Sequence, residues 1–513
     1  MELTLLATSD THGYIMPTNF SSATYDKTFG LAKAATALKA LETQETTLKF
    51  ELGDFIQGSP LSYYVAKNKE HYVGELVELA NLIKYDTGLL GNHEFNYGFS
   101  YLKEAIAATN YPILAANILD KLTGEPAFGK PYHIFTKAGL KIAVLGVTTQ
   151  YIPNWEQPKN IEGLEFASVV EIAKRYVPQL REMADVVIVA YHGGFERDLV
   201  TGEPTEDLTG ENEGYQLLQE VSGIDALLTG HQHRIIATHI NGVPVIQPGY
   251  RGQYIGKITL TIEDKQIVKS TADVIDVTDY APDPQISEAC AKLSAEVEQW
   301  LDQPIGHVIE GDMTISNPHQ ARIIEHPYIE LIQKVQMEAT HTDISGTALF
   351  NNEGKGFNQT ISMRDIVTNY IYPNTLAVLK LTGQDLKDAL EQSAAFFVLE
   401  DGKIKVNPKF IEPKPQYYNY DMYEGVNYVI DLTKNVGERI VQLQYHGHDL
   451  APNEEIEVVT NQYRAVGGGN YHMFGANKII REVQIDMTEL IADYLAKHPE
   501  IKASVNHNFT IKY

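Results

Sequence analysis

Near its start the chain reads Leu3-Thr4-Leu5-Leu6-Ala7-Thr8-Ser9-Asp10-Thr11-His12, an aliphatic run that ends directly in a cluster of polar side chains. Such a run is typical of a buried β-strand. The same order recurs along the first half of the chain, where short aliphatic runs precede Gly, Asp, His or Asn and then helical stretches. The runs are Leu3–Ala7, Leu48–Leu52, Thr87–Leu90, Ile113–Ala116, Ile142–Val147, Val186–Ala190 and Ala226–Leu228. Strands that alternate with helices predict an α/β layered fold, with polar residues at the carboxyl ends of the strands.

The composition excludes several classes of protein. The chain has 513 residues, 43% hydrophobic and 21% charged, and a net charge of −26. This acidic excess disfavours a nucleic-acid polymer as partner, because a polyanion binds Lys- and Arg-rich surfaces. The single cysteine, Cys290, excludes an intrachain disulfide and a thiolate metal cage. No stretch approaches the roughly 18 apolar residues of a membrane span. Without a recognisable signal peptide, we expect a cytoplasmic protein; an exported protein whose leader has been removed is the alternative.

The sequence pattern changes after about Asp276. An amphipathic helical stretch, Gln285–Leu301, separates the strand–helix alternation from a region with an α+β pattern. We therefore predict an N-terminal domain over 1–278, a linker helix within 279–306 and a C-terminal domain over 307–513. An ordinary packed helix is the alternative to a linker.

Five clusters of oxygen and nitrogen donors follow strand-like runs. They are Ser9-Asp10-Thr11-His12, Gly53-Asp54, Gly91-Asn92-His93-Glu94, Tyr191-His192-Gly193-Gly194 and Gly230-His231-Gln232-His233. Such donors, without sulfur, suit zinc, manganese or iron. The Asp-x-His and His-x-His spacings place two side chains on one side of an extended backbone, where they can chelate an ion. A lone histidine after a strand more often has a structural role, but the shared position of the five clusters predicts a dinuclear metal site.

These motifs resemble those of the calcineurin-like metallophosphoesterases, and among them the 5′-nucleotidase family. The matching segments are Asp10-x-His12, Gly53-Asp54-x-x-Gln57-Gly58-Ser59-Pro60, Gly91-Asn92-His93-Glu94 and Gly230-His231-x-His233. The resemblance covers nearly the whole chain and implies an N-terminal αββα sandwich, a linker helix and a C-terminal α+β nucleotidase domain. It also implies two divalent metal ions, one held by Asp10, His12 and His233 and the other by Asn92, His192 and His231, with Asp54 as the bridge. His93 would be the catalytic histidine.

One position beside the catalytic histidine departs from the family pattern. Many relatives have an aspartate three residues after that histidine, where this chain has Asn96. An amide can orient the ring of His93 by a hydrogen bond, but it carries no charge to stabilise an imidazolium. Within the family, asparagine at this position resembles the branch of 2′,3′-cyclic-nucleotide 2′-phosphodiesterase/3′-nucleotidases. A neutral substitution is the alternative.

The second half of the chain resembles the nucleotide-binding domain of the same family. Tyr372-Pro373-Asn374 and Asn461-Gln462-Tyr463-Arg464 match the segments that carry two aromatic residues. The resemblance implies that Tyr372 and Tyr463 stack on a nucleobase and that Asn374 bonds its edge; ordinary packing is the alternative for each tyrosine. Asn352 matches a substrate-binding position, although its segment, Phe350–Gly356, lacks the arginine of relatives. Gly469-Asn470 likewise replaces an aspartate that meets the ribose.

The combined motifs predict a dinuclear metal-dependent phosphoesterase that hydrolyses nucleotides. The departures put plain 5′-nucleotidase activity in doubt and favour 2′,3′-cyclic-nucleotide 2′-phosphodiesterase/3′-nucleotidase activity. A general 5′-nucleotidase, a dinucleotide or UDP-sugar pyrophosphohydrolase and a catalytically silent nucleotide-binding protein are the alternatives. The ligand types accept Mn, Zn or Fe and so leave the metal open, and the sequence predicts no particular oligomeric state.

Overall fold

The computed structural model describes the chain from 1 to 513 except Asp26, Gln44, Lys69, Asp207, Pro373, Pro413 and Gln484. The described chain divides into two compact units, Met1–Val297 and Glu298–Tyr513. The boundary lies inside the helix Pro284–Leu301, the segment predicted as a linker. Asp283 begins this helix, because its carboxylate accepts hydrogen bonds from the backbone N–H groups of residues 285 and 286 at 3.0 and 3.2 Å.

The described part of the first unit contains two six-stranded sheets. The strands of the first sheet, in spatial order, are Gln266–Asp276, Tyr254–Glu263, Glu2–Thr8, Thr47–Glu51, Thr87–Leu89 and Ile113–Leu114. Those of the second sheet are Ile235–Ile240, Val243–Pro248, Ala226–Thr229, Val186–His192, Leu140–Thr148 and Tyr132–Lys137. Four neighbouring strands run parallel in each sheet, with antiparallel strands at one edge of the first and at both edges of the second.

The two sheets pack face to face on a shared aliphatic core. Leu5 of the first sheet and Ile188 of the second both lie in this core. On its other face the second sheet packs against the helix Val169–Met183, and the helix Leu31–Leu41 contacts the first sheet. The central strands are therefore buried on both faces, which is why they read as continuous aliphatic runs. The predicted α/β layered architecture is confirmed.

The remaining elements of the first unit lie around these sheets. The helices are Pro60–Lys67, Gly74–Asn81, Phe99–Ala108 and Gly214–Glu220. Short 3₁₀ turns cover His93–Phe95, Ile152–Asn154 and Pro158–Asn160, and two short strands pair at Ile118–Asp120 and Leu164–Phe166. Within the described part of the chain, no helix combines the length and the apolar character needed to cross a bilayer.

The second unit mixes small sheets with helices, as the predicted α+β pattern requires. Its largest described sheet contains, in spatial order, Asp421–Glu424, Ile344–Ala348, Glu455–Asn461, Leu376–Thr382 and Ile479–Val483. Other strands are Pro304–Glu310, Met313–Thr314, Gly356–Phe357, Thr360–Ser362, Phe397–Glu400, Lys403–Val406, Asn427–Asp431, Ile440–Tyr445, His448–Asp449, Glu500–Lys502 and Phe509–Lys512. The helices are Pro318–Ile323, Pro327–Thr340, Met363–Asn369, Gly383–Ala394, Gln462–Ala465 and Met487–Lys497, with 3₁₀ turns at Pro408–Phe410, Tyr417–Asn419 and Ala476–Lys478.

Candidate metal centre

The seven predicted metal ligands lie together at the carboxyl ends of parallel strands in the first unit. One group of donors consists of Asp10, His12 and His233, and a second of Asp54, His192 and His231; within each, the donor atoms lie within 4.8 Å of one another. Asn92 joins the second group, because its Oδ1 lies 2.9 Å from Nδ1 of His231 and 3.3 Å from Nε2 of His192. The fold thus brings together residues that are more than 220 positions apart in sequence.

Hydrogen bonds to backbone carbonyls determine which nitrogens of the histidines can bind a cation. Nδ1 of His12 lies 2.9 Å from the carbonyl oxygen of Gln57, and Nδ1 of His192 lies 2.6 Å from that of Leu52. A carbonyl oxygen only accepts, so both Nδ1 atoms carry the hydrogen and Nε2 keeps a lone pair in the neutral ring. Each Nε2 atom lies close to another potential metal donor. Nε2 of His12 is 3.1 Å from Nε2 of His233, and Nε2 of His192 is 3.3 Å from Oδ2 of Asp54. Converging lone pairs of this kind fit a divalent cation.

Asp54 lies between the two groups of donors. Its Oδ2 is 3.3 Å from Nε2 of His192 and 4.0 Å from Nε2 of His12. Burial disfavours the charged form of each group, and it lowers the pKa of His12 to about 3. For His192 the carboxylates of Asp54 and Asp10 outweigh burial and raise the pKa to about 10. For Asp54 the neighbouring histidines outweigh burial and hold the pKa well below its usual range. The centre therefore concentrates negative charge, which favours a proton on His192 and would favour a divalent cation in its place.

Five of the seven predicted ligands have a left-handed backbone. The φ angles are 52° for Asp10, 50° for His12, 58° for Asp54, 67° for His231 and 56° for His233. A non-glycine residue in this region costs roughly 1–3 kcal/mol and persists only where its surroundings hold it, most often at functional sites. A close approach adds a further constraint, because a Cβ on Gly91 would lie 2.2 Å from Oδ1 of Asp54. The backbone geometry of these predicted ligands is therefore imposed by the fold rather than by local preference.

Glu94 holds two of the ligand-bearing loops together. Its buried carboxylate accepts hydrogen bonds from the N–H groups of Asp54 at 2.8 Å, Phe55 at 2.7 Å, Ile56 at 3.3 Å and Gly91 at 2.6 Å. These backbone atoms belong to the segments that carry Asp54 and Asn92. Glu94 appears in the sequence motif, but its part in orienting the ligands depends on a contact that only the fold creates.

His93, the predicted catalytic histidine, borders the ligands and is half-buried. Its N–H donates to Oδ1 of Asp54 at 2.8 Å, and its ring centre lies 5.3 Å from that of His12. Nδ1 of His93 is 2.7 Å from Oδ1 of Asn96, as the sequence predicts for an orienting amide. Nδ2 of Asn96 in turn donates to Oε2 of the buried Glu156 at 2.8 Å. Burial raises the pKa of Glu156 despite its hydrogen bonds.

Sequence reasoning missed four side chains that border the centre. Glu156 contacts Asn96, Trp155 packs beside the ring of His231, Glu211 bonds Nε2 of His231 at 3.1 Å, and Tyr250 stacks on His233 with ring centres 4.8 Å apart. The first two follow the strand Leu140–Thr148, where the rule that ligand sites lie after parallel strands also applies. Tyr250 follows the parallel strand Val243–Pro248, which is absent from the predicted runs, and Glu211 lies in a connecting segment without a comparable signal.

The predicted nucleotide-binding residues lie in the second unit. Tyr372 packs edge-on against Phe350, with ring centres 5.6 Å apart, and Tyr463 packs edge-on against Tyr418 at 6.1 Å. Asn374 is half-buried, and its backbone carbonyl accepts from Met487 N at 2.8 Å. Pro373, between Tyr372 and Asn374 in the motif, lies outside the described residues.

Two buried arginines order the segments around these residues. Arg464 forms an ion pair with Asp421 at 2.7 Å and donates to the carbonyl oxygen of Tyr418 at 2.5 Å, so it ties the Tyr418 and Tyr463 segments together. Arg322 donates to Oδ1 of Asn352 at 2.8 Å. An arginine therefore does contact the loop whose own arginine is missing, but it comes from a segment to which the sequence assigns no role.

Comparison with known proteins covers both units. Residues 3–234 match the family described as calcineurin-like phosphoesterase, and residues 304–476 match the family described as 5′-nucleotidase, C-terminal domain. A crystal structure from Staphylococcus aureus, described as a "Putative 5′-Nucleotidase" in complex with alpha-ketoglutarate, has a TM-score of 0.94 and 36% sequence identity, with 100% of both chains covered.

Two curated relatives align over almost the whole chain. The 2′,3′-cyclic-nucleotide 2′-phosphodiesterase/3′-nucleotidase of Haemophilus influenzae is 28% identical over 99% of this chain and 86% of its own length. The trifunctional nucleotide phosphoesterase protein YfkN of Bacillus subtilis is 27% identical over 100% of this chain. The chain spans 39% of the length of that second relative.

Proposed function

Because the chain belongs to the 5′-nucleotidase family of calcineurin-like phosphoesterases and is a phosphoester-hydrolysing enzyme, we propose that it cleaves nucleotides at a centre of two divalent metal ions. The observation that carries this proposal is the meeting of the two donor groups around Asp54, with the Nε2 atoms of His12 and His192 on the side of that carboxylate. Asp10, His12 and His233 would hold one ion, and Asn92, His192 and His231 the other, with Asp54 shared. Mn, Zn and Fe all suit these ligands.

Within this centre the protein supplies orientation and charge. When bound, divalent cations offset the negative charge of a phosphate and make water a better nucleophile. Glu94 and the backbone carbonyls behind His12 and His192 hold the ligands in place before substrate arrives, which reduces reorganisation during the reaction. Nδ1 of His93 is bonded to Asn96, so Nε2 is the ring nitrogen that remains to face a phosphoryl or leaving oxygen.

We propose 2′,3′-cyclic nucleotides and 3′-nucleotides as the preferred substrates. Support comes from Asn96 in place of an aspartate, from the loop around Asn352 without its own arginine, and from the relative in H. influenzae that carries this activity in its name. Tyr372 and Tyr463 would stack on the base and Asn374 would bond its edge. General 5′-nucleotidase activity is the second candidate, favoured by the description of the S. aureus structure at 36% identity.

Parallel assays of 2′,3′-cyclic AMP, 3′-AMP, 5′-AMP and a UDP-sugar with Mn²⁺ separate these candidates. We expect the first two to be hydrolysed with the highest kcat/KM. Preference for 5′-AMP would overturn the substrate assignment in favour of the second candidate. Asp54→Ala serves as the control for the centre itself, because removal of the shared carboxylate should abolish both metal loading and turnover.

A further inference from the structure

Asn96 leaves the catalytic histidine without the adjacent carboxylate that the family pattern supplies. In the structure a carboxylate lies nearby, that of Glu156, which is linked to His93 through Asn96. Oε2 of Glu156 accepts from Nδ2 of Asn96 at 2.8 Å, and Oδ1 of Asn96 accepts from Nδ1 of His93 at 2.7 Å. Glu156 is 8% exposed and comes from a loop 60 positions away in sequence.

The chemistry of the three groups determines the direction of each hydrogen bond. The other contacts of Glu156 are all donors that cannot accept: N–H of Gln157 at 2.7 Å and Nδ2 of Asn160 at 2.8 Å, both at Oε1. An ionised carboxylate can only accept, so Asn96 must offer its NH₂ group to Oε2 of Glu156. The amide oxygen of Asn96 then points to His93, whose Nδ1 must carry a hydrogen.

From this geometry we propose that Glu156 is a positioning residue for catalysis, which acts through Asn96 to hold His93 with Nδ1 protonated and Nε2 directed at the substrate. The inference rests on the proposed role of His93 in phosphoester hydrolysis. The segment between Leu140–Thr148 and Val169–Met183 thereby gains a function. The pair of Asn96 and Glu156 takes the place of the adjacent aspartate of relatives, because the carboxylate of Glu156 acts on His93 through two successive hydrogen bonds.

The direct test is Glu156→Gln, which keeps one oxygen for Gln157 and Asn160 and places an NH₂ group opposite the NH₂ of Asn96. Two donors cannot bond, so Asn96 is expected to turn and offer its NH₂ to Nδ1 of His93, which would then lose its hydrogen. The substrate for this test is phenyl phosphate, which reports phosphoester hydrolysis whatever nucleotide is preferred. We expect kcat to fall at least about tenfold with little change in KM, because the imidazole of His93 assists the reaction rather than substrate binding.

Rescue distinguishes a positioning role from a merely structural one. In Asn96→Asp/Glu156→Gln the aspartate can accept from both His93 and the new glutamine, so we expect kcat to return to within a few fold of the wild type. Asn96→Asp alone places two carboxylates against each other and should have a lower kcat than the wild type. The effects of the two substitutions on kcat should therefore be strongly non-additive. The matched control is Glu213→Gln, a buried glutamate of the same unit that accepts from Ser168 and Val169 at 2.6 and 2.8 Å; it should lower stability without lowering kcat.

A second readout does not depend on activity. Imidazole ¹⁵N spectra, with His93→Asn used to identify the signals of His93, should show a protonated Nδ1 in the wild type and an unprotonated Nδ1 in Glu156→Gln. Unchanged kcat and unchanged His93 signals in Glu156→Gln would overturn the proposal. A loss of kcat in Glu156→Gln that persists in the double variant Asn96→Asp/Glu156→Gln would also overturn it. If the spectra change as expected while the wild type hydrolyses no phosphoester, the positioning holds and the proposed function fails.

Discussion

Glu94→Gln is the change that most directly tests how the candidate metal centre is built. The carboxylate accepts four backbone N–H groups, two at each oxygen. A glutamine keeps one oxygen, so two of these hydrogen bonds are lost in either orientation of the amide. A hydrogen bond to a charged group contributes about 1.5–3 kcal/mol, and the expected loss in the free energy of unfolding of the first unit is therefore about 3–6 kcal/mol. The same change should weaken metal binding by about 10–100-fold, because Glu94 orients the loops that carry Asp54 and Asn92.

Unfolding of the first unit can be followed separately from that of the second. The chain has two tryptophans, Trp155 in the first unit and Trp300 in the second, so the fluorescence of a Trp300→Phe background reports the first unit alone. With an m value of about 3 kcal/mol/M, a loss of 3–6 kcal/mol lowers the urea midpoint by roughly 1–2 M. Metal affinity is measured in the same background by competition between the protein and a chelator for Mn²⁺.

A matched control separates stability from ligand orientation. Glu196 is another buried glutamate of the first unit, and it accepts from the N–H groups of Tyr215 and Gln216 at 3.0 and 2.8 Å. Glu196→Gln should lose one such hydrogen bond and keep wild-type metal affinity. The assigned role of Glu94 is wrong if the free energy of unfolding of Glu94→Gln lies within 1 kcal/mol of the wild-type value. It is also wrong if Glu94→Gln loses stability but binds Mn²⁺ as tightly as Glu196→Gln does.

Three further predictions concern turnover, substrate and stability. His93→Asn should lower kcat by about 10²–10⁴-fold while metal analysis finds the wild-type metal content; full activity would contradict the catalytic role. Tyr463→Ala should raise the KM for 3′-AMP by roughly 5–150-fold, the equivalent of about 1–3 kcal/mol of base stacking, and leave hydrolysis of glycerol 2-phosphate, which has no base, unchanged. An equal effect on both substrates would argue against stacking. Asp421→Asn removes one partner of the buried pair with Arg464 and should destabilise the second unit by about 3–5 kcal/mol in denaturant unfolding followed by Trp300 fluorescence; a loss below 1 kcal/mol would mean that the pair is not the main tie between these loops.

Prediction from sequence succeeded for the parts of the fold that depend on local patterns. The strands Glu2–Thr8 and Val186–His192 coincide with largely aliphatic runs, because both faces of each strand are buried. Thr47–Glu51 is also buried throughout, although Lys49 and Glu51 interrupt its apolar residues. The antiparallel strands Tyr254–Glu263 and Gln266–Asp276 are absent from the predicted runs, since their half-exposed residues alternate with buried ones or with polar side chains.

For this protein, sequence alone determined which donor residues stand at the ends of which strands, and therefore that a metal centre of oxygen and nitrogen ligands was to be expected. A side chain next to the end of a parallel strand needs no further information to be placed at the carboxyl edge of the sheet. The tertiary structure decided the left-handed backbone of five predicted ligands, the four N–H contacts of Glu94 and the approach of Glu156 to Asn96. Each of these depends on segments tens of residues apart that meet only once the sheets have packed, and hydrogen-bond partners at that separation leave no periodic signal in the chain.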